Sequence, residues 1–80
     1  MKSIVFLIMT LARMAAIEMQ IYSLNITIAG REECLAHVRD PLLRARMQQI
    51  QDMTRTEVRR LERLSDDLSR RLDTALQASA

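Results

Sequence analysis

A chain of 80 residues with a net charge of +2 has room for one small domain with a limited core. Acids and bases are interspersed along it, and it contains one Tyr, one Phe and no Trp. This composition argues against nucleic acid as the main partner, since such proteins usually carry a strong basic patch or base-stacking rings.

The N-terminal segment, residues 1–29, is predicted to form an apolar helix. Residues 4–9 are strongly apolar, and the stretch 4–29 is long enough to cross a bilayer. Arg13 and Glu18 lie near its middle, and each costs about 2.5–3.5 kcal/mol at the centre of a membrane helix. We therefore expect this arm to be buried against partner helices, with a membrane as an alternative environment if partners satisfy the two charges.

Residues 22–29 allow a second interpretation. Apolar and polar residues alternate there, which is the pattern of a half-buried strand. The rest of the chain offers no second candidate strand to pair with it, so a strand would have to pair with another copy. Helix is the preferred prediction.

A connector is predicted over residues 30–40. Gly30 is the only glycine, and it is suited to end the first helix in a left-handed conformation. Residues 32–39 are then predicted to form a short helical turn. Asp40 and Pro41 restart the chain, because aspartate is a preferred N-cap and proline is well tolerated at the first helical position.

The segment 41–78 is predicted to be a long amphipathic helix. It contains no glycine or proline after Pro41, and strong helix formers dominate it. Its apolar residues recur in steps of three and four, which places them on one face. The spacing favours a nearly straight helix in a hairpin or small bundle over a long two-stranded coiled coil. The predicted apolar stripe consists of Leu43, Met47, Ile50, Val58, Leu61, Leu64, Leu68, Leu72 and Leu76, with Thr54 in its gap.

Catalytic and ligand-binding signatures are not found in the sequence. A phosphate-binding loop needs several glycines, and the chain has one. Cys34 and His37 are three residues apart and make half of a zinc site, whereas closed zinc sites need four ligands. Cys34 is also the only cysteine, so an intrachain disulfide is excluded. We predict no enzymatic activity, no catalytic residues, no metal, no cofactor and no small-molecule substrate.

The sequence therefore predicts an all-α helical hairpin that is oligomeric or part of a complex, located at a membrane or in the cytoplasm. Its predicted function is that of a small structural or interaction subunit of a larger protein assembly. The alternative is a soluble helical regulator or chaperone that lays an amphipathic helix into a partner's groove, for which six methionines give an adaptable surface. A less favoured class is a nucleic-acid-binding hairpin using arginines of the long helix. The predicted interaction residues are Ile4, Leu7, Ile8, Leu11, Met47, Ile50, Val58, Leu61, Leu68 and Leu72.

Overall fold

The fold of this chain, in a computed structural model that describes residues 2–79, is an antiparallel pair of helices. Helix α1 covers Lys2–His37 and helix α2 covers Pro41–Ser79. No strand occurs among the described residues. The two helices pack side by side along their length and form a rod of 59 × 14 × 14 Å. The predicted helical hairpin is confirmed.

The start of α2 follows from local chemistry. The carboxylate of Asp40 accepts a hydrogen bond from the backbone N–H of Leu42 at 3.1 Å, and its carbonyl accepts one from the N–H of Arg44 at 2.9 Å. Pro41 occupies the first helical position, where its missing N–H costs nothing. Asp40 is therefore the N-cap, as predicted.

The end of α1 differs from the prediction. Gly30 lies inside the helix, which continues to His37, and no glycine has a positive φ among the described residues. The predicted connector of residues 30–40 is reduced to residues 38–40. The physical reason is tertiary: residues on both sides of Gly30 contact α2, so packing outweighs the roughly 1 kcal/mol that a glycine costs in a helix. Residues 22–29 are likewise helical, and the alternative strand is wrong.

The interface between the helices follows a regular step on both of them. Buried and half-buried positions recur in alternating steps of three and four from Leu7 of α1 to Val38, one residue past its end, and from Met47 to Ala75 in α2. We call these positions the seam. Its apolar centre is formed by Ile17, Leu61 and Leu68, which are at most 8% exposed.

The seam of α2 differs from the predicted apolar stripe in its polar members. Gln51 and Ser65 are buried, whereas Leu43, Ile50 and Leu76 of the predicted stripe are about half exposed. Both polar residues have a hydrogen-bond partner on α1, so the helix turns a mixed face toward its neighbour. The most apolar face of α2 and its buried face are therefore slightly different.

Candidate interaction surfaces

The first candidate site is a group of polar contacts between the helices near the connector, which we call the polar clasp. Gln51 is fully buried, and its Nε2 donates hydrogen bonds to the backbone carbonyl of Ile28 at 2.7 Å and to Oε1 of Glu32 at 3.1 Å. The buried Oε1 of Gln51 has no hydrogen-bond partner. One side chain thus joins the helices and carries an unsatisfied acceptor.

Charged residues complete the polar clasp at its edges. Arg55 forms an ion pair with Glu32, and Arg31 Nη1 donates to Thr54 Oγ1 at 2.6 Å. Hydrogen bonds from Gln51 and from Arg55 hold the pKa of Glu32 below its ordinary value. Because the ion pair is partly exposed, solvent screens it, and it adds little stability by itself. The polar clasp therefore links α1 and α2 through contacts between residues 19 to 23 positions apart in the sequence.

A second polar contact lies farther from the connector. Ser65 of α2 is buried, and its hydroxyl donates to Oε1 of Glu18 at 2.8 Å. Glu18, one of the two charges of the apolar arm, therefore reaches along the flank of the seam toward α2. The Glu18 carboxylate therefore does not lie on the side of α1 that faces away from α2.

The side of α1 that faces away from α2 is apolar and exposed. We define the outer face of α1 as the positions that recur in steps of three and four opposite the seam. No residue on it is charged, and all of its members are exposed. The side chains of Met19 and Tyr22 are 74% and 70% exposed, the largest values among the large apolar residues. The outer face consists of Val5, Ile8, Ala12, Ala15, Met19, Tyr22, Ile26 and Ala29.

The predicted interaction residues separate into two groups. Those in the seam contact the other helix of the hairpin, so their burial is already explained within one chain. The others are exposed and free to meet a partner. The seam contains Leu7, Met47, Val58, Leu61, Leu68 and Leu72, and the exposed group contains Ile4, Ile8, Leu11 and Ile50. Whether any of the ten contacts another molecule stays a prediction.

Sequence reasoning did not identify the polar clasp. Its members are ordinary helix residues, and their pairing depends on which positions face each other across the hairpin. One signal was available. Arg31 and Gln51 occupy positions in the three-and-four spacing that apolar residues fill elsewhere, and Glu32 lies next to such a position. Polar residues in or beside such a step are candidates for contacts between helices.

Helix α1 is also long and apolar enough to cross a membrane by length and composition. The candidate span is Ile4–His37, with a mean hydropathy of 1.8 in its most apolar window, of which 11% is buried. The core helix of a soluble protein and a signal sequence near the N-terminus meet the same criterion, but a core helix is mostly buried. The exposed outer face distinguishes α1 from the core helix of a soluble protein.

Metal ligands do not converge in the part of the chain that the structure describes, where no group of three His, Cys, Asp or Glu side chains could hold an ion. Cys34 is exposed, and so are Arg59 and Arg63 of α2. Comparison with known proteins gives no match to a protein-family model, to a curated protein or to a solved structure. A functional interpretation therefore depends on the polar contacts between the helices and on the outer face of α1.

Proposed function

We propose that this chain is a small, non-enzymatic structural or interaction subunit that buries the outer face of α1 against a partner. The observation that carries the proposal is the exposure of this face. Its five large apolar side chains are at least 55% exposed. Monomeric soluble proteins rarely expose contiguous apolar patches above about 300–600 Å², and larger ones usually mark interfaces.

The charge distribution supports a docking role. Between Ile4 and Gly30 the only charged residues are Arg13 and Glu18, and neither belongs to the outer face. Helix α2 carries fourteen charged residues between Pro41 and Ser79. The rod therefore has one side suited to water and one suited to an apolar partner.

A membrane can take part only in a restricted way. If the closed hairpin crossed a bilayer, α2 would cross beside α1, and each of its central charges would cost about 2.5–3.5 kcal/mol. The total far exceeds what the outer face could recover. Membrane association thus requires either an open hairpin with α1 inserted alone or a hairpin lying flat with the outer face toward lipid.

The alternative function, a regulator or chaperone that inserts an amphipathic helix into a groove, has less support. The apolar residues that α2 would present are already in contact with α1, and Val58, Leu61 and Leu68 are at most 6% exposed. Binding through them would first require the hairpin to open. Binding through the outer face of α1 requires no such change.

A matched pair of methionines tests the proposed function. A photocrosslinking amino acid replaces Met19 in one full-length chain and Met53 in another, and each is expressed and illuminated in cells. Met19 lies on the outer face, whereas Met53 lies on α2, and their exposures of 74% and 66% are similar. We expect a discrete crosslinked protein or lipid adduct from position 19 and none, or much less, from position 53. Equal yields from the two positions, or no adduct from position 19, would refute the proposal.

A further inference from the structure

We infer that the partner on the outer face of α1 is a second copy of this chain, packed antiparallel about a two-fold axis level with position 17 of both copies. This inference rests on the proposed function, because it names the molecule that covers the same face. The resulting dimer would place the two α1 helices at its centre and the two charged α2 helices outside.

The first argument is the register. In an antiparallel helix pair related by a two-fold axis, a residue at one level meets the residue equally far from the axis on the other copy. With the axis at position 17, Ala12 meets Tyr22 of the second copy, and Ala15 meets Met19 of the second copy. The two most exposed large side chains of the outer face thus oppose two of its three alanines. This alternation of large and small residues lets facing layers interdigitate.

The same register keeps the ends of the contact apolar. Ile8 meets Ile26 of the second copy, and both are more than half exposed in the single chain. The positions involved recur in steps of three and four, the spacing that keeps a continuous contact between two helices. The outer face is therefore complementary to itself along almost its whole length.

The second argument is area. A large apolar side chain contributes on the order of 100 Å² when its apolar surface is exposed. The five large residues of the outer face, together with the adjacent Ile4 and Leu11, then offer on the order of 700 Å² per chain. A stable protein interface buries about 800 Å² on each partner. One copy of α1 is thus large enough to form a stable dimer, provided that most of the apolar surface is covered.

The third argument distinguishes protein from lipid. Helices that lie on anionic membranes usually carry Lys and Arg along the border of their apolar face. The corresponding border of α1 between Ile4 and Gly30 carries one base, Arg13, and one acid, Glu18. It therefore has no net positive charge to meet lipid headgroups. A second copy needs none.

Disulfide crosslinking in the full-length chain tests the register. Cys34 is exposed and is first replaced by serine, so that only introduced cysteines react. Chains with Ala12→Cys and chains with Tyr22→Cys carry tags of different mass and are mixed before mild oxidation. Both sites are exposed in the hairpin, so neither change disturbs the seam. We expect a mixed disulfide dimer in several-fold excess over either homodimer. If Ala12→Cys chains alone crosslink as readily as the mixture, the antiparallel register is wrong.

Sedimentation of the chain without introduced cysteines provides the second measurement. We expect a dimer whose dissociation constant rises by on the order of tenfold or more with Met19→Glu but changes little with Met53→Glu. A monomer at high micromolar concentration overturns the inference, as does a monomer that floats with phosphatidylcholine and phosphatidylglycerol vesicles. The crosslinked product from position 19 distinguishes this inference from the proposed function. If the product contains a different protein or a lipid, the second copy is wrong and the proposed function stands.

Discussion

Replacing Gly30 with alanine tests whether α1 runs unbroken toward the polar clasp. Gly30 lies inside α1, its φ is not positive, and a Cβ added to it meets nothing within 4 Å. Alanine therefore fits without strain or clash. It also has a higher helix propensity and restricts the unfolded chain more than glycine does.

The magnitude follows from these conditions. An exposed helical glycine costs about 0.5–1 kcal/mol relative to alanine, and no contact opposes the gain here. We expect Gly30→Ala to raise the free energy of unfolding by that amount. For a domain of this size, the corresponding rise in melting temperature is roughly 2–8 °C.

Urea denaturation followed by helical circular dichroism provides the assay. The midpoint should rise at an unchanged slope, with wild type and variant compared at equal chain concentration because the proposed dimerisation would add to stability. Ala16→Gly is the matched control, since Ala16 is exposed in the same helix and should lose a similar amount. A loss of 1 kcal/mol or more on Gly30→Ala would show that Gly30 is a left-handed helix end and that the unbroken helix is wrong.

Three further substitutions test the seam and the polar clasp. Leu61→Ala should cost about 2–5 kcal/mol because Leu61 is 3% exposed, whereas Leu42→Ala should cost less than about 0.5 kcal/mol because Leu42 is 67% exposed; equal losses in chemical denaturation would place the seam on the wrong face. Gln51→Leu removes a buried acceptor without a partner together with the two hydrogen bonds that Nε2 donates, so these effects offset and the stability of the hairpin should change by less than about 1 kcal/mol; a loss above about 2 kcal/mol would show that the donated hydrogen bonds outweigh the unsatisfied oxygen. The lowered pKa of Glu32 implies stability that is present above the ordinary carboxyl pKa and lost as pH falls through the lower folded value. Glu32→Gln should reduce this acid sensitivity in a pH series of thermal melts, and an unchanged pH profile would contradict the role assigned to Glu32.

Features encoded by neighbouring residues could be predicted from the sequence. The start of α2 is an example, because the Asp40 carboxylate and the Pro41 ring act within one turn. The fate of Gly30 could not be predicted, since contacts with residues more than twenty positions away keep the helix intact there. Glycine favours a helix end because of its own backbone freedom, but packing against α2 keeps Gly30 inside the helix.

The candidate surfaces were predictable to different degrees. Exposed Ile4 and Ile8 could not be distinguished from seam residues, because α1 is apolar on almost every side and its pattern does not indicate which side meets α2. The burial of Gln51 and Ser65 was missed for the opposite reason. An apolar pattern assigns polar residues to the surface, and only a partner on the other helix makes their burial possible.

The position of the polar clasp has a consequence for the order in which the hairpin forms. The contact between Gln51 and Glu32 closes a loop of 19 residues, whereas that between Ser65 and Glu18 closes one of 47 residues. The entropy of closing the longer loop first is greater by about 0.8 kcal/mol. Folding should therefore begin beside the connector and proceed toward the free ends of the helices. The end of α1 near Ile4 would be the last part of that helix to pack against α2 and the first to separate from it, so the free ends would exchange their amide hydrogens fastest.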